Sequence, residues 1–221
     1  MTNNLNRGGF YKKTYLHVAG ALSLFALFEA LLIQQGFGEK MMGLLGKSQY
    51  SWLIVLGLFM GVSWIANYWA HSGASRSMEY AGLALYIVAE AVIFLPLIFM
   101  AVEWTDGAAL QSAGITTGFL VVGISAIAFW TKKDFSGIGK YLTVFGFIAL
   151  GTIVAGILFK FTLGVWFAGA LAVFAGFSLL HSTSDLIHHY REDQYVAAAL
   201  SLFADIALMF YYILGIFMNR D

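Results

Sequence analysis

The stretch that decides the fold is residues 178–215, which read SLLHSTSDLIHHYREDQYVAAALSLFADIALMFYYILG. It contains two apolar segments joined by a short, charged connection. Asp185 lies near the end of the first segment, and Asp205 lies in the middle of the second with apolar neighbours on both sides. Because an ionised carboxylate is costly at that depth in a membrane helix, Asp205 is predicted to face the protein interior and to have a functional role.

Composition places the chain among integral membrane proteins. Apolar residues make up 60% of its 221 residues and charged residues only 11%, whereas a soluble domain carries about 25% charged residues. The net charge of zero gives no support for nucleic-acid binding. The chain has no cysteine, which excludes disulfides, thiolate metal sites and cysteine chemistry.

Seven segments are long and apolar enough to span a bilayer, which requires about 20 residues. Their approximate ranges are 15–33, 51–70, 80–102, 107–130, 141–159, 163–187 and 195–218. The chain is therefore predicted to be an all-α integral membrane protein, with a polar cytoplasmic tail over residues 1–14 and a single seven-helix transmembrane domain over 15–221. The longest connection, residues 34–50, contains four glycines and is predicted to be a flexible loop.

The distribution of positive charge predicts the orientation in the membrane. With seven spans and the N-terminus inside, eight lysines and arginines lie on the cytoplasmic side. Four lie on the opposite side, namely Lys40, Lys47, Lys160 and Arg220. The positive-inside rule then favours a cytoplasmic N-terminus. Six spans with one re-entrant segment would instead place the C-terminus inside.

Few polar residues lie inside the predicted spans, and the candidates for a function among them are Glu29, Glu90, His181, Asp185 and Asp205. A buried carboxyl group is expected to be neutral, paired or next to water. Two carboxyl groups in contact would titrate as a coupled pair and act as a proton switch. Oxygen ligands without sulfur also suit calcium or a proton better than copper or zinc. The alternative is that each carboxyl group only hydrogen-bonds a neighbouring helix.

The spacing of His181, Asp185 and His189 places three candidate metal ligands on one helix face. The sequence offers no second cluster that would complete a metal site. A histidine pair at the end of a helix more often interacts with the terminal backbone carbonyl groups. Both interpretations stay open at this point, so the three residues are weak candidates.

Arg76 lies in the connection between the second and third segments, within SRSMEY. It would either reach inward and pair with a carboxylate, closing a pore from the cytoplasmic side, or stay at the membrane interface as a charge that sets topology. A basic surface with interleaved aromatic residues, as in nucleic-acid-binding proteins, is absent from the sequence.

Three stretches resemble the Bax-inhibitor family, in particular its bacterial members. Residues 131–136, TKKDFS, match the family's Thr-x-Lys-Asp-Phe/Met-Ser loop, and residues 80–96 match its third helix. Residues 183–205 match its last two helices. These motifs occur in order and with the family's spacing, and the resemblance extends over about residues 15–218.

The resemblance implies a seven-helix bundle with the last helix at its centre. Characterised members are pH-sensitive calcium leak channels, in which two aspartates on the sixth and seventh helices form the sensor. Asp205 corresponds to the second aspartate, whereas Ser182 stands at the position of the first. Either Asp185, three residues later on the same face, replaces that aspartate, or it is an unrelated polar residue. The arginine that pairs with the sensor in some members matches Arg76 loosely.

Two functions are consistent with these features. The first is a pH-sensitive calcium or cation leak channel, with Asp205, Asp185, Ser182, Glu90 and Arg76 along the proton-sensing ion pathway. The alternative is a regulator that binds a membrane-anchored AAA protease, as the best-known member of one bacterial branch does. We expect no enzyme, since a metal hydrolase would need ligands on further helices. We also expect an inner (plasma) membrane location, with the bilayer and calcium as partners, no nucleic acid and no cofactor beyond transient calcium.

Overall fold

The computed structural model describes residues 3–219, and over that range the chain is helical without any strand. The helices are α1 (Asn3–Gln34), α2 (Phe37–Leu45), α3 (Gln49–His71), α4 (Arg76–Thr105), α5 (Ala108–Thr131), α6 (Gly139–Phe159), α7 (Gly164–His188) and α8 (Tyr195–Met218). A 3₁₀ turn over Ser136–Ile138 leads into α6. Residues 1–2 and 220–221, with Arg220 of the charge count, lie outside the described residues.

Seven of the described helices, all except α2, are long and apolar enough to cross a membrane. This confirms the predicted all-α architecture with seven spans. The short connections between successive spans reverse the chain direction, so consecutive spans run antiparallel. One end of the bundle therefore holds the end of α3 and the start of α8, and the other holds the start of α3 and the end of α8.

The segment predicted as a polar tail is part of α1 in its described residues. Phe10 and Thr14 are buried, and the guanidinium of Arg7 donates a hydrogen bond to the backbone carbonyl of Ile187 at the end of α7. These contacts fix the segment against the bundle. Helix α1 therefore begins well before the predicted span, because hydropathy marks where a membrane span begins and not where its helix begins.

The connection predicted as a flexible loop contains α2. Gly36 adopts a left-handed conformation (φ 73°) and separates α1 from α2. Leu45 is buried, and Gly38 packs directly against the ring of Phe99 on α4. The loop prediction is wrong here because the glycines serve a turn and a close helix contact, which together dock α2 on the bundle.

The last helix, α8, lies at the centre of the bundle and packs against α1, α3, α4, α5 and α7. Its sequence is apolar on all faces, which is typical of a helix surrounded by protein. Leu200, Phe203, Met209 and Leu214 are completely buried. By contrast, α6 is peripheral and has Gly156 as its one buried residue. Asp205, at the middle of α8, is therefore held at the centre of the molecule.

Candidate functional site

Asp205 lies inside the bundle with 8% of its surface exposed. Its Oδ1 accepts a hydrogen bond from the hydroxyl of Ser178 on α7 at 2.6 Å. Its Oδ2 is buried and has no hydrogen-bond partner among the described residues. Because a buried polar atom without a partner costs free energy, this oxygen is a position at which a proton, an ion or a ligand group would be stabilising.

His181 lies between the two aspartates of the predicted sensor. Its Nε2 is 3.5 Å from Oδ2 of Asp185, one turn further along α7, and its ring is an electrostatic neighbour of Asp205. Ser182 also lies close to the carboxyl group of Asp205. No hydrogen bond joins the carboxyl groups of Asp185 and Asp205 directly. The imidazole of His181 thus lies near both acids without a hydrogen bond to Asp205 among the described residues.

Glu90 and Asp205 line the same cavity, which has a volume of about 430 Å³. Glu90 lies on α4 with 5% of its surface exposed. Tyr86, one turn earlier on α4, is an electrostatic neighbour of both carboxyl groups. Apolar and aromatic side chains from α3, α4, α6, α7 and α8 form most of the walls, among them Trp52, Phe59, Ile153, Phe174 and Tyr211. The structure thus brings together Asp205 and Glu90, which the sequence could only name separately.

The cavity occupies one half of the bundle. Trp52 lies near the start of α3 and Ile157 near the end of α6, and both line the cavity at the same end of the bundle. Asp205 and Ser178, which lie at the middle of their helices, line it further inside. We call the end near Trp52 the Trp52 end, and the opposite end, where α3 ends and α8 begins, the Tyr190 end.

At the Tyr190 end, three side chains that sequence reasoning missed form a hydrogen-bonded chain. The hydroxyl of Tyr190 is 3.1 Å from Nε2 of His71 on α3 and 3.0 Å from the hydroxyl of Ser201 on α8. Burial raises the pKa of Tyr190, so its hydroxyl keeps its proton near neutral pH. Ser201 is one turn before Asp205 on α8, and the chain therefore ends next to the site.

Arg76 lies at the Tyr190 end and pairs with Glu79 in the first turn of α4, not with Glu90 or Asp205. Its Nη1 is 2.6 Å from Oε2 of Glu79 and 2.7 Å from the backbone carbonyl oxygen of Asp193. Its guanidinium also lies over the ring of Tyr195, 4.6 Å from the ring centroid. Arg76 therefore holds the connection between α7 and α8 against the start of α4.

The three candidate metal ligands do not converge. His181 contacts Asp185, whereas Nε2 of His189 lies 3.2 Å from Oδ2 of Asp134 in the connection between α5 and α6. Within residues 3–219, no group of three or more histidine, aspartate and glutamate side chains has a geometry that would hold a metal ion. The spacing predicted that these residues share one helix face. In the structure, however, His189 contacts Asp134 of the neighbouring connection instead of the other two residues.

Asp134 belongs to the TKKDFS motif and fixes the connection between α5 and α6. Its Oδ1 accepts a hydrogen bond from the backbone N–H of Ser136 at 2.8 Å. Hydrogen bonds from the backbone and side chain of Ser136, followed by His189, lower the pKa of Asp134 to about 2. The neighbouring Phe135 donates its backbone N–H to Ser184 on α7 at 2.8 Å. The motif thus attaches this connection to the end of α7.

Glu29 is a further buried carboxyl group, with 3% of its surface exposed. Neither of its oxygens has a hydrogen-bond partner among the described residues. It does not line the cavity that contains Asp205 and Glu90. The structure therefore leaves Glu29 out of the candidate site.

A family model described as inhibitor of apoptosis-promoting Bax1 matches residues 7–221. The chain is 33% identical to the Arabidopsis thaliana protein LIFEGUARD 4 over 126 residues, which cover 53% of this chain and 50% of that protein. It thus matches about half the length of that relative.

Two other relatives are covered over most of their length. The chain is 26% identical to LIFEGUARD 3 of Arabidopsis thaliana over 229 residues, which cover 86% of this chain and 87% of that protein. It is also 26% identical over 185 residues to an uncharacterized protein of Neisseria meningitidis, covering 80% and 76% of the two chains. No solved structure is significantly similar to the chain.

Proposed function

Because this multi-pass membrane protein belongs to the Bax-inhibitor family, we propose that it is a pH-sensitive cation leak channel with calcium among its permeant ions. The observation that carries the proposal is the position of Asp205. Its carboxyl group lines the cavity on one side and lies one turn from the hydrogen-bonded chain of Tyr190 on the other. An acid at such a boundary can respond to protons and also act on a passing cation.

In the proposed closed state of the channel, the path of an ion has two successive parts. The cavity leads from the Trp52 end to Asp205. Beyond Asp205, the side chains of Ser201, Tyr190 and His71 are hydrogen-bonded to one another across three parts of the chain. For an ion to pass, these hydrogen bonds must break and α8 must separate locally from the end of α3. The Tyr190 chain is therefore the proposed gate.

Protonation changes the charge next to this gate. An ionised Asp205 attracts a cation into the cavity, whereas a neutral Asp205 does not. His181, Asp185, Glu90, Tyr86 and Tyr190 are the titratable side chains around it. A proton shifts the equilibrium between closed and open states only by its difference in affinity for the two states. In the family, the first aspartate of the sensor stands at the position that Ser182 occupies here. We propose that His181 and Asp185 together take its role.

The test is calcium flux into proteoliposomes that carry the purified protein, measured from pH 6 to pH 8. The variants are Asp205→Asn and, as a matched control, Glu103→Gln, which changes an exposed carboxyl group on α4. We expect flux that depends on pH in the wild type and in Glu103→Gln, and loss of that dependence in Asp205→Asn. Absence of calcium flux at every pH, or an unchanged dependence of flux on pH in Asp205→Asn, would refute the channel proposal.

A second candidate function is regulation of a membrane-anchored AAA protease. Ser182, in place of an acid, favours it, because a regulator needs no pair of titrating aspartates. The exposed connection between α7 and α8, held by Arg76, would be available to a partner. Co-reconstitution with such a protease tests this candidate. Inhibition that persists in Asp205→Asn, together with absence of cation flux, would favour the regulator.

We also propose that the Tyr190 end faces the cytoplasm and that the protein lies in the inner membrane. The charge bias between the two ends supports this orientation. Because the chain has no cysteine, single cysteines at exposed positions can report the side. In intact cells, a membrane-impermeant maleimide should label Lys47→Cys and should not label Ser72→Cys. The reverse pattern would invert the orientation.

A further inference from the structure

The cavity between α3, α4, α6, α7 and α8 has walls unlike those of a binding site for a bare metal ion. Calcium prefers six to eight oxygen ligands. Here the polar groups are the carboxyl groups of Glu90 and Asp205, the hydroxyl of Ser178 and a few phenols, and the rest of the lining is apolar or aromatic. Such a combination suits a molecule with one positive charge and a hydrophobic body.

The charges of the side chains that line the cavity support the same interpretation. Among the described side chains that line the cavity there are two carboxyl groups and no lysine, arginine or histidine. Asp205 is more than nine-tenths buried and lines the cavity, and its Oδ2 has no hydrogen-bond partner among the described residues. An ammonium group in the cavity would neutralise the negative charge of Glu90 and Asp205.

The aromatic side chains add a second recognition element. Tyr86, Phe94 and Tyr211 lie on the same wall as Glu90 and Asp205, formed by α4 and α8. Aromatic faces attract organic cations, and the attraction grows when the cation is desolvated. The volume of about 430 Å³ lies within the range of small-molecule pockets, which are often found between helices of bundles.

The position of the cavity gives such a ligand a route from the bilayer. Part of the wall consists of Trp52 and Phe59 on α3 and of Ile153 and Ile157 on α6, all of which are only half-buried. Because α6 is peripheral and has Gly156 as its one buried residue, this wall lies on the outer side of the bundle. An amphiphile dissolved in the membrane can therefore enter between α3 and α6.

We propose that this cavity binds a hydrophobic organic ammonium ion, with the ammonium group at Asp205 and Glu90 and the apolar body between α3 and α6. The inference goes beyond ion conduction and does not require it, because a ligand can bind at equilibrium whether or not the bundle opens.

The experiment measures binding by isothermal titration calorimetry on the full chain in lipid nanodiscs at pH 7, with empty nanodiscs as the blank. The probe is 4-phenylbutylammonium, and the controls of the same shape are neutral 4-phenylbutanol and anionic 4-phenylbutyrate. We expect the ammonium to bind at least about tenfold more tightly than the alcohol, and the carboxylate not to bind. A tenfold ratio corresponds to about 1.4 kcal/mol.

Variants locate the site. Glu90→Gln and Asp205→Asn should each weaken ammonium binding about tenfold, while Glu103→Gln, an exposed acid on the same helix as Glu90, should not change it. If Asp205→Asn does not fold, Ala204→Phe gives an independent test, because it keeps both acids and fills the cavity from its wall. It should abolish binding.

Equal affinity for the ammonium and the alcohol would overturn the inference, as would ammonium binding that survives both Glu90→Gln and Ala204→Phe. The outcome is separable from that of the channel proposal. Ammonium binding without cation flux would leave this inference standing and remove the channel. Flux that depends on Asp205, without ammonium binding, would do the reverse.

Discussion

Ser178 on α7 donates a hydrogen bond of 2.6 Å to Oδ1 of Asp205 on α8, and this bond joins the two helices at the middle of the bundle. It is the direct polar contact of the buried carboxyl group, whose other oxygen has no partner among the described residues. This hydrogen bond therefore helps to fix the position of the acid relative to the cavity, together with Ser182, which also lies close to the carboxyl group.

Replacing Ser178 by alanine should destabilise the protein by about 1 kcal/mol, the usual size of one lost hydrogen bond. The physical reason is that Oδ1 of Asp205 would then lose the hydroxyl group that donates to it at 2.6 Å. Thermal unfolding in detergent measures the change. Ser23→Ala is the control, since Ser23 is exposed and its hydroxyl bonds only the carbonyl of Ala19 on its own helix. Equal effects of the two substitutions would contradict the prediction.

Replacing Tyr190 by phenylalanine should raise cation flux at constant pH by up to about thirtyfold, because two hydrogen bonds are lost. The substitution removes the hydroxyl that bonds His71 and Ser201 but keeps the ring. Each lost bond weakens the closed state by about 1 kcal/mol, and about 1.4 kcal/mol corresponds to a factor of ten.

Flux into proteoliposomes, compared with wild type and with Tyr141→Phe, tests this gate. Tyr141 is exposed on α6 and takes no part in the chain of Tyr190. If Tyr190→Phe and Tyr141→Phe conduct alike, the hydrogen-bonded chain is not the gate.

Gly82→Ala should destabilise the contact between α3 and α4 by about 1 to 3 kcal/mol, the usual cost of overpacking. An added Cβ would lie 2.5 Å from the backbone oxygen of Ala66 and 2.7 Å from the backbone nitrogen of Ala70. Backbone atoms cannot turn aside as a flexible side chain can, so the helices must move apart.

The control for Gly82 is Gly20→Ala on α1, where an added Cβ meets nothing within 4 Å. Alanine favours a helix over glycine by about 1 kcal/mol or less, so Gly20→Ala should be neutral or slightly stabilising. In the same detergent, the unfolding midpoint of Gly82→Ala should therefore fall, whereas that of Gly20→Ala should stay the same or rise. A neutral Gly82→Ala would refute the close contact.

Asp134→Asn should change how stability responds to acid. The folded pKa of Asp134 is about 2, below its ordinary value of 3.8. The carboxylate therefore contributes stability that is present above pH 3.8 and is lost as the pH falls towards 2. Asparagine does not titrate, so in that window the variant should lose stability less steeply than the wild type.

Unfolding midpoints measured in detergent from pH 5 to pH 2 give the two slopes for Asp134→Asn. Asp193→Asn serves as a comparison, because hydrogen bonding by Arg191 also lowers the pKa of Asp193, which lies in the connection between α7 and α8. Parallel slopes for wild type and Asp134→Asn would mean that the carboxylate of Asp134 contributes no acid-dependent stability.

The sequence was a reliable guide where one physical constraint acts on a continuous segment. The thickness of the bilayer sets the length of an apolar helix, and this predicts the seven spans. The cost of a charge in hydrocarbon requires Asp205 to face inward, and the residue is 8% exposed at the centre of the bundle. Glycine content failed as a guide in residues 34–50, because Gly38 serves a contact with Phe99 on another helix.

Only the tertiary structure decided which polar groups meet. His71 and Tyr190 are 119 residues apart in the sequence, and no periodicity within one helix links them. The sequence shows that Arg76 has a long, charged side chain. Which group it contacts depends on where the connection between α7 and α8 passes. Glu90 and Asp205 share a cavity because α4 and α8 pack side by side. Local energetics fix where each helix lies in the chain, whereas the packing of helices distant in the sequence fixes the site.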